Sequence, residues 1–407
     1  MTAADTFLLL LLFAAAAGLG WYFARRAQPR SSSGSPRQVS AEYFQGLNYL
    51  LNEEPDKALE VFIRMVDMDA DTVDTHFALG ALFRRRGETE RAIKVHQNLV
   101  ARPDLPREAR ARALNELAED YFKAGLFDRA EHVYTQVSRG LFAREQGLRG
   151  LVRLYELQRD WEKAIATMDQ LVSSSRDAGG EVVAHYCCEL AQEAFGRGDL
   201  LAARHWLKRA QGADRNNVRG AMMRAAIAQR EGDYRLAVRL YEQALERDGG
   251  FLADVLPELR LSYAELGKAD AFERWLSEAL GRHPEWRPGV AFAAITDGNF
   301  DDAVTRQCIA DFISSNPILT DILETLRPTL ESQGGKEEAV RRISRAMRRI
   351  AKASPRYRCN ICGFSGNALY WQCPSCRSWD TTRPVTKFRF EAMLDPRAVP
   401  PESGRKG

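Results

Sequence analysis

Four of the seven cysteines in this 407-residue chain fall into two short hooks, Cys359-Asn-Ile-Cys362-Gly363 and Cys373-Pro-Ser-Cys376. Two intervening residues let the backbone bend until both sulfurs of a hook meet one ion, and two hooks close a tetrahedron with metal–sulfur bonds of about 2.3 Å. Gly363 supplies the freedom for the tight turn after the first hook. Cys359, Cys362, Cys373 and Cys376 are therefore the candidate ligands of one metal ion. A closed four-sulfur shell leaves no position for water or substrate, so its default role is structural. Geometry and cytosolic availability favour zinc, while iron takes the same shell. Ten residues separate Cys362 from Cys373, among them Phe364, Tyr370 and Trp371, and Trp379 follows the second hook. A spacer this short holds a small hairpin whose aromatics are expected to cover the metal.

Other chemistry is scarce. Cys187, Cys188 and Cys308 sit in apolar, helical-looking stretches and read as small buried residues, the usage expected of a reducing compartment. The chain carries no phosphate-binding Gly-x-x-x-x-Gly-Lys loop, no His-Glu-x-x-His and no Gly-x-Ser-x-Gly. Its six histidines are scattered and read as surface or packing residues. Nothing argues for an enzyme. A net charge of +3, with 58 basic residues against 55 acidic ones, is too balanced to imply nucleic acid.

The elements that position the hooks are repeats. A helix, a turn carrying Gly with Asp or Glu, and a second helix with an early alanine recur along the middle of the chain. The matching alanines are Ala58, Ala92, Ala130, Ala164, Ala203 and Ala237, at spacings of 34, 38, 34, 39 and 34 residues. That is the tetratricopeptide period. The two longer spacings place extra residues near Pro103 to Arg107 and Ser173 to Gly180, as loops or helix extensions. Companion aromatics Phe83, Tyr121, Tyr134, Tyr155, Tyr241 and Tyr263 fall in core register. Later units are less regular, marked by Gly267 before Phe272, Gly298 before Ala303 and Gly335 before Ala339. An all-α tetratricopeptide-repeat solenoid of about nine helical pairs is expected over 39–353, with a concave face suited to another polypeptide.

At the N-terminus, Phe7 to Ala24 carries no charge and spans roughly 27 Å as a helix, close to a bilayer core. Trp21 and Tyr22 fit an interfacial belt. Arg25, Arg26, Arg30 and Arg37 place the rest of the chain on the cytoplasmic side. A cleaved signal peptide would need a basic n-region, which is missing, and arginines stand where the mature start would be. Ala14 with Gly18 and Ala16 with Gly20 form small-x-x-x-small pairs, although such residues are common in membrane helices anyway. The expected divisions are a transmembrane helix at 4–24, a linker at 25–38, the array at 39–353, a four-cysteine module at 354–390 and a loose tail at 391–407. A basic helix with Arg341, Arg345, Arg348 and Lys352 on one face leads into the module. Its default reading is a solvated face; the sharper one is a dock for acidic groups or membrane phosphates.

Anchor, repeats and a C-terminal module reading Cys359-Asn-Ile-Cys362-Gly363-Phe364, then Trp371-Gln-Cys373-Pro374-Ser-Cys376 with Trp379 beyond, together resemble the lipopolysaccharide assembly protein B family over essentially the whole chain. That family's module is described as rubredoxin-like, but the spacer here is far shorter than in a true rubredoxin, which speaks against electron transfer. The resemblance implies an adaptor of the bacterial inner membrane, single-pass, with its bulk on the cytoplasmic side. It implies three kinds of partner: a membrane-bound FtsH-type protease, the UDP-3-O-acyl-N-acetylglucosamine deacetylase of lipid A synthesis, whose degradation the adaptor promotes, and other lipopolysaccharide assembly proteins. A homo-oligomer is compatible with such an array. A redox carrier, a nucleic-acid-binding ribbon and a general envelope scaffold without a proteolytic role remain as alternatives. The module is expected to clamp back on the array, since the basic helix runs directly into Cys359.

Overall fold

The computed structural model describes residues 73–174, 179–297, 302–315 and 355–385, with scattered positions between 44 and 63 and residue 324. The proposed membrane span, the basic helix, Gly298, Gly335 and the tail lie outside the described residues. Among the described residues no helix is long and apolar enough to cross a membrane. Two compact units are present, Met1–Gly147 and Leu148–Gly407.

Seven successive helix pairs run through the described residues: α1 Val73–Arg85 with α2 Thr89–Ala101, α3 Arg107–Lys123 with α4 Phe127–Ser138, α5 Arg144–Gln158 with α6 Trp161–Ser174, α7 Gly180–Gly196 with α8 Leu200–Ala213, α9 Val218–Arg230 with α10 Tyr234–Arg247, α11 Leu252–Glu265 with α12 Ala269–Arg282, and α13 Arg287–Asp297 with α14 Ala303–Ser314. In the first unit, helical residues Ala58 and Phe62 pack on Leu79, Leu82, Phe83 and Ala92. All six alanines that set the period are fully buried. No side chain larger than a methyl fits at those crossings without forcing its neighbours off their rotamers, at about 1–3 kcal/mol.

The longer spacings resolve into longer first helices. α3 and α7 each have 17 residues where α1 and α9 have 13. Leu105, in the link before α3, turns inward and is buried. The companion aromatics are core residues as expected, with Tyr134 fully buried, except that Tyr263 is half-exposed and donates its hydroxyl to Glu242 at 3.0 Å.

Most pairs are joined by one turn. The second residue past the first helix is left-handed at Gly87, Gly125, Gly198, Gly232 and Gly267, with φ between 66° and 80°. Its N–H and that of the next residue fold back on the helix end, as in Gly232 N to Gln229 O and Asp233 N to Ala228 O, both 2.9 Å. This double closure satisfies carbonyls that the helix end would otherwise leave bare. Asp199 and Asp233 then accept the N–H of Ala202 and Leu236, capping the second helix.

The C-terminal module is a three-stranded antiparallel sheet in the order β2-β1-β3, with β1 Tyr357–Cys359, β2 Ser365–Gly366 and β3 Thr382–Pro384. Tyr357 sits opposite Gly366 on one side and Pro384 on the other, and Cys359 opposite Thr382. The spacer between the hooks does not form a hairpin with itself. It contributes β2, which pairs back to β1 ahead of the first hook.

Candidate metal centre

Each hook is closed by the same pair of bonds. In the first, Gly363 N donates to Cys359 O (3.0 Å) and Cys359 N to Phe364 O (2.8 Å); in the second, Arg377 N donates to Cys373 O (2.9 Å) and Cys373 N to Ser378 O (2.9 Å). The residue after each second cysteine is left-handed, Gly363 at φ 75° and Arg377 at φ 59°. Sequence reasoning found the first of these and missed the second, because arginine gives no hint of a positive φ.

These turns bring the four sulfurs within 4.8 Å of one another. Cys359 Sγ lies 3.7 Å from Cys376 Sγ, and Cys362 Sγ lies 3.6 Å from Cys373 Sγ. A tetrahedron with 2.3 Å bonds has edges of about 3.8 Å, so the donor set fits one metal ion. The separations are far beyond a sulfur–sulfur bond of about 2.05 Å. The backbone N–H of Cys362, with help from the Thr381 hydroxyl, favours a thiolate at Cys359 and draws its pKa down to about 6. Ser378 lowers Cys376 in the same way, whereas burial pushes Cys373 up to about 11. A cation among the sulfurs would favour the thiolate at all four.

The remaining three cysteines are buried in helices as expected. Burial raises all of them, Cys187 to about 11 and Cys188 to about 12, which makes them poor nucleophiles and ligands.

The two tryptophans beside the hooks dock the module onto the repeats of the second unit. Trp379 lies edge-on to Trp161 and Tyr186 and stacks on His185 at 5.3 Å. Its indole Nε1 donates to Glu156 Oε1 at 2.8 Å, and Tyr186 donates its hydroxyl to the same oxygen at 2.7 Å. Trp371 packs between His185 and Phe251, at 5.9 and 5.1 Å, with the Arg219 guanidinium over its ring. From the sheet and its approach, Tyr357 donates its hydroxyl to Asp254, Arg356 approaches Asp254 at 3.8 Å, and Arg383 pairs with Asp248 at 3.5 Å while lying over Phe251. The expected clamp is thus present, carried by Tyr357, Trp371 and Trp379.

The docking residues obey the repeat register. His185, Arg219 and Asp254 each stand thirteen residues before the left-handed turn residue of their pair, Gly198, Gly232 and Gly267. Phe251 and Asp248 stand sixteen and nineteen before Gly267. Three consecutive first helices, α7, α9 and α11, therefore offer one row to the module. This row carries neither the alanines nor the aromatics that define the period, so the search for core spacing passed over it.

Comparison with known proteins finds matches in both the repeats and the four-cysteine module. The model of a rubredoxin metal binding domain matches residues 357–384, and that of the tetratricopeptide repeat matches 75–109, 148–181 and 225–253. The lipopolysaccharide assembly protein B of Escherichia coli K12 is 32% identical over 380 residues, covering 93% of this chain and 98% of the relative. The protein of the same name from Haemophilus influenzae is 29% identical over 391 residues, with the same coverage. Among solved structures, the C-terminal part of a tetratricopeptide-repeat protein from Cytophaga hutchinsonii aligns with 61% of this chain and 98% of its own, at 17% identity and a TM-score of 0.39. With 32% identity to a relative that it covers almost completely, the chain belongs to the lipopolysaccharide assembly protein B family.

Proposed function

We propose that the protein is a membrane-anchored adaptor that regulates lipopolysaccharide synthesis, presenting the lipid A pathway deacetylase to a membrane-bound FtsH-type protease. The observation that carries this reading is the match to relatives named for lipopolysaccharide assembly along 98% of the Escherichia coli protein's length. The repeat array supports it as a scaffold for polypeptides. Tethering at Phe7 to Ala24 would hold a client beside a protease in the same bilayer and raise its effective concentration without new contacts. The array and module lie on the cytoplasmic side of the inner membrane.

Cys359, Cys362, Cys373 and Cys376 hold one zinc ion in this reading, as a staple that keeps Trp371 and Trp379 aimed at the array. Elemental analysis of protein purified under reducing conditions is expected to give one zinc per chain and no visible absorption. A coloured, reversibly bleached protein would instead favour a redox carrier. The adaptor role is tested by affinity capture from bacterial membranes, with the wild type and a variant in which all four cysteines are serine. The wild type is expected to retain the deacetylase and the protease, and the variant to lose the deacetylase. Recovery of neither by the wild type sinks the adaptor reading.

A further inference from the structure

The row that seats the metal module in the second unit has a counterpart in the first. Thirteen residues before the turn residues Gly87, Gly125 and Arg159 stand Asp74, Arg112 and Gln146. All three line a groove of about 610 Å³. Ala109 and Ala143, sixteen before Gly125 and Arg159, share the register of Phe251, and Pro106, nineteen before Gly125, that of Asp248. The groove is thus lined from the same within-repeat positions as the surface that holds Trp371, Tyr357 and Arg383 in the other unit, with Asp74 on the first helix of its row where Asp254 is on the last.

Its chemistry matches the same kind of occupant. Asp74 holds the register of Asp254, the carboxylate that receives the Tyr357 hydroxyl and Arg356. Its present partner, Arg112 at 3.7 Å, is a surface contact with both side chains mostly exposed, worth little and easily exchanged. The lining holds three carboxylates, Asp74, Glu108 and Glu116, of which Glu116 already pairs with Arg84 at 2.6 Å, and the guanidinium of Arg112. Asn115 Oδ1 is buried there without a hydrogen-bond partner among the described residues. Phe142, more than half exposed, offers an apolar wall.

We infer that this groove docks a segment of a partner polypeptide that carries a tyrosine or tryptophan next to an arginine, seated as Tyr357 and Arg356 are seated on Asp254. The aromatic ring lies against Phe142 and the small residues of the row, its polar tip and the arginine meet Asp74, and a backbone N–H satisfies Asn115. The inference rests on the adaptor reading for there being a client, and adds a second contact for that client, in the first unit, beside the one that depends on the metal module. Its test uses purified components, so its failure would leave the affinity capture standing.

The probe is a fluorescent blocked peptide, Ser-Pro-Arg-Tyr-Arg-Gly, with Ser-Pro-Glu-Ala-Glu-Gly as its control, titrated by anisotropy against the full chain in detergent. The arginine–tyrosine peptide is expected to bind at least tenfold tighter than the control. Asp74→Lys should weaken it at least tenfold and Asn115→Leu severalfold, while Glu278→Lys, at an exposed carboxylate outside the groove and the module's seat, leaves it unchanged. Asp74 is largely exposed, so the variant keeps its fold, which circular dichroism checks. Absence of saturable binding, equal affinity for the two peptides, or sensitivity to Glu278→Lys rather than Asp74→Lys overturns the proposal. So does a wild-type dimer in sedimentation that Asp74→Lys dissociates, since the groove's occupant would then be the module of a second copy.

Discussion

Glu156 Oε1 receives two donors, the indole of Trp379 and the hydroxyl of Tyr186. Removing the carboxylate leaves both without a partner in a largely buried site, so Glu156→Ala should weaken module docking by about 2 kcal/mol. Glu156→Gln, which keeps one acceptor oxygen, should cost less. Urea unfolding followed by tryptophan fluorescence measures both, and equal stability of all three proteins would remove Glu156 from the clamp. His185 makes the same interface sensitive to acid. Burial above all, with the Arg219 and Arg383 guanidinium groups adding to it and Asp380 opposing, lowers its pKa to about 4. The unfolded imidazole titrates at 6.5, so between those values the unfolded chain binds more protons than the folded one. Docking is therefore at full strength above pH 6.5 and loses up to ~3 kcal/mol as pH falls towards 4. Acid also protonates thiolates and releases metal, in every variant alike. The readout is thus the difference between metal-loaded wild type and His185→Phe across pH 4 to 7, and parallel curves would show that His185 plays no part.

At the scale of elements, the turn joining α5 to α6 departs from its fellows. Asp160 N donates to Tyr155 O and Arg159 N to Glu156 O, the same double closure as elsewhere, yet the left-handed position at φ 58° is held by arginine. A side chain in that conformation costs about 1–2 kcal/mol. Arg159→Gly should accordingly stabilise the second unit by about 1 kcal/mol, and Gly232→Ala should destabilise it by a similar amount, the added methyl meeting no neighbour within 4 Å. Thermal unfolding of the two variants tests this, and a lowered midpoint for Arg159→Gly would contradict it. The same arginine shows what the sequence discloses and what it hides. Alanine spacing located five of the seven described pairs, since close helix crossings exclude any larger residue and leave a fixed mark, and turn glycines marked the last two. The four sulfurs were legible because a metal shell demands one residue type at one spacing. The second hook's left-handed Arg377 and the docking row of His185, Arg219 and Asp254 were not. Positive φ is tolerated by many residues at modest cost, and a row that meets another part of the chain follows that surface, so its residue types do not repeat. Among the described residues the clamp is made by Tyr357 and the tryptophans beside the hooks; the basic helix that first suggested it lies outside them.

For the whole molecule, the two units make metal removal a local event. The module touches α7, α9 and α11 and reaches Glu156 and Trp161, all within the second unit. The first unit has its own buried network. The His96 ring lies in the space left by Gly80, where a Cβ would come within 2.4 Å, and His96 Nδ1 meets Asp120 at 2.5 Å. Arg84 bridges Asp120 and Glu116 at 2.7 and 2.6 Å. None of these residues belongs to the module or its seat. In repeat arrays stability is nearly a sum of local and nearest-neighbour terms, so loss of one staple loosens its neighbours first. Stripping the ion with a strong chelator should therefore speed amide hydrogen exchange in the module, α7, α9 and α11 by tenfold or more, and leave α1 to α4 within twofold of the loaded protein. Replacing Cys359 and Cys362 by serine should reproduce that pattern without chelator. Acceleration spread evenly over α1 to α14 would mean that the metal supports the array as a whole; no acceleration in α7, α9 and α11 would mean that docking survives without it.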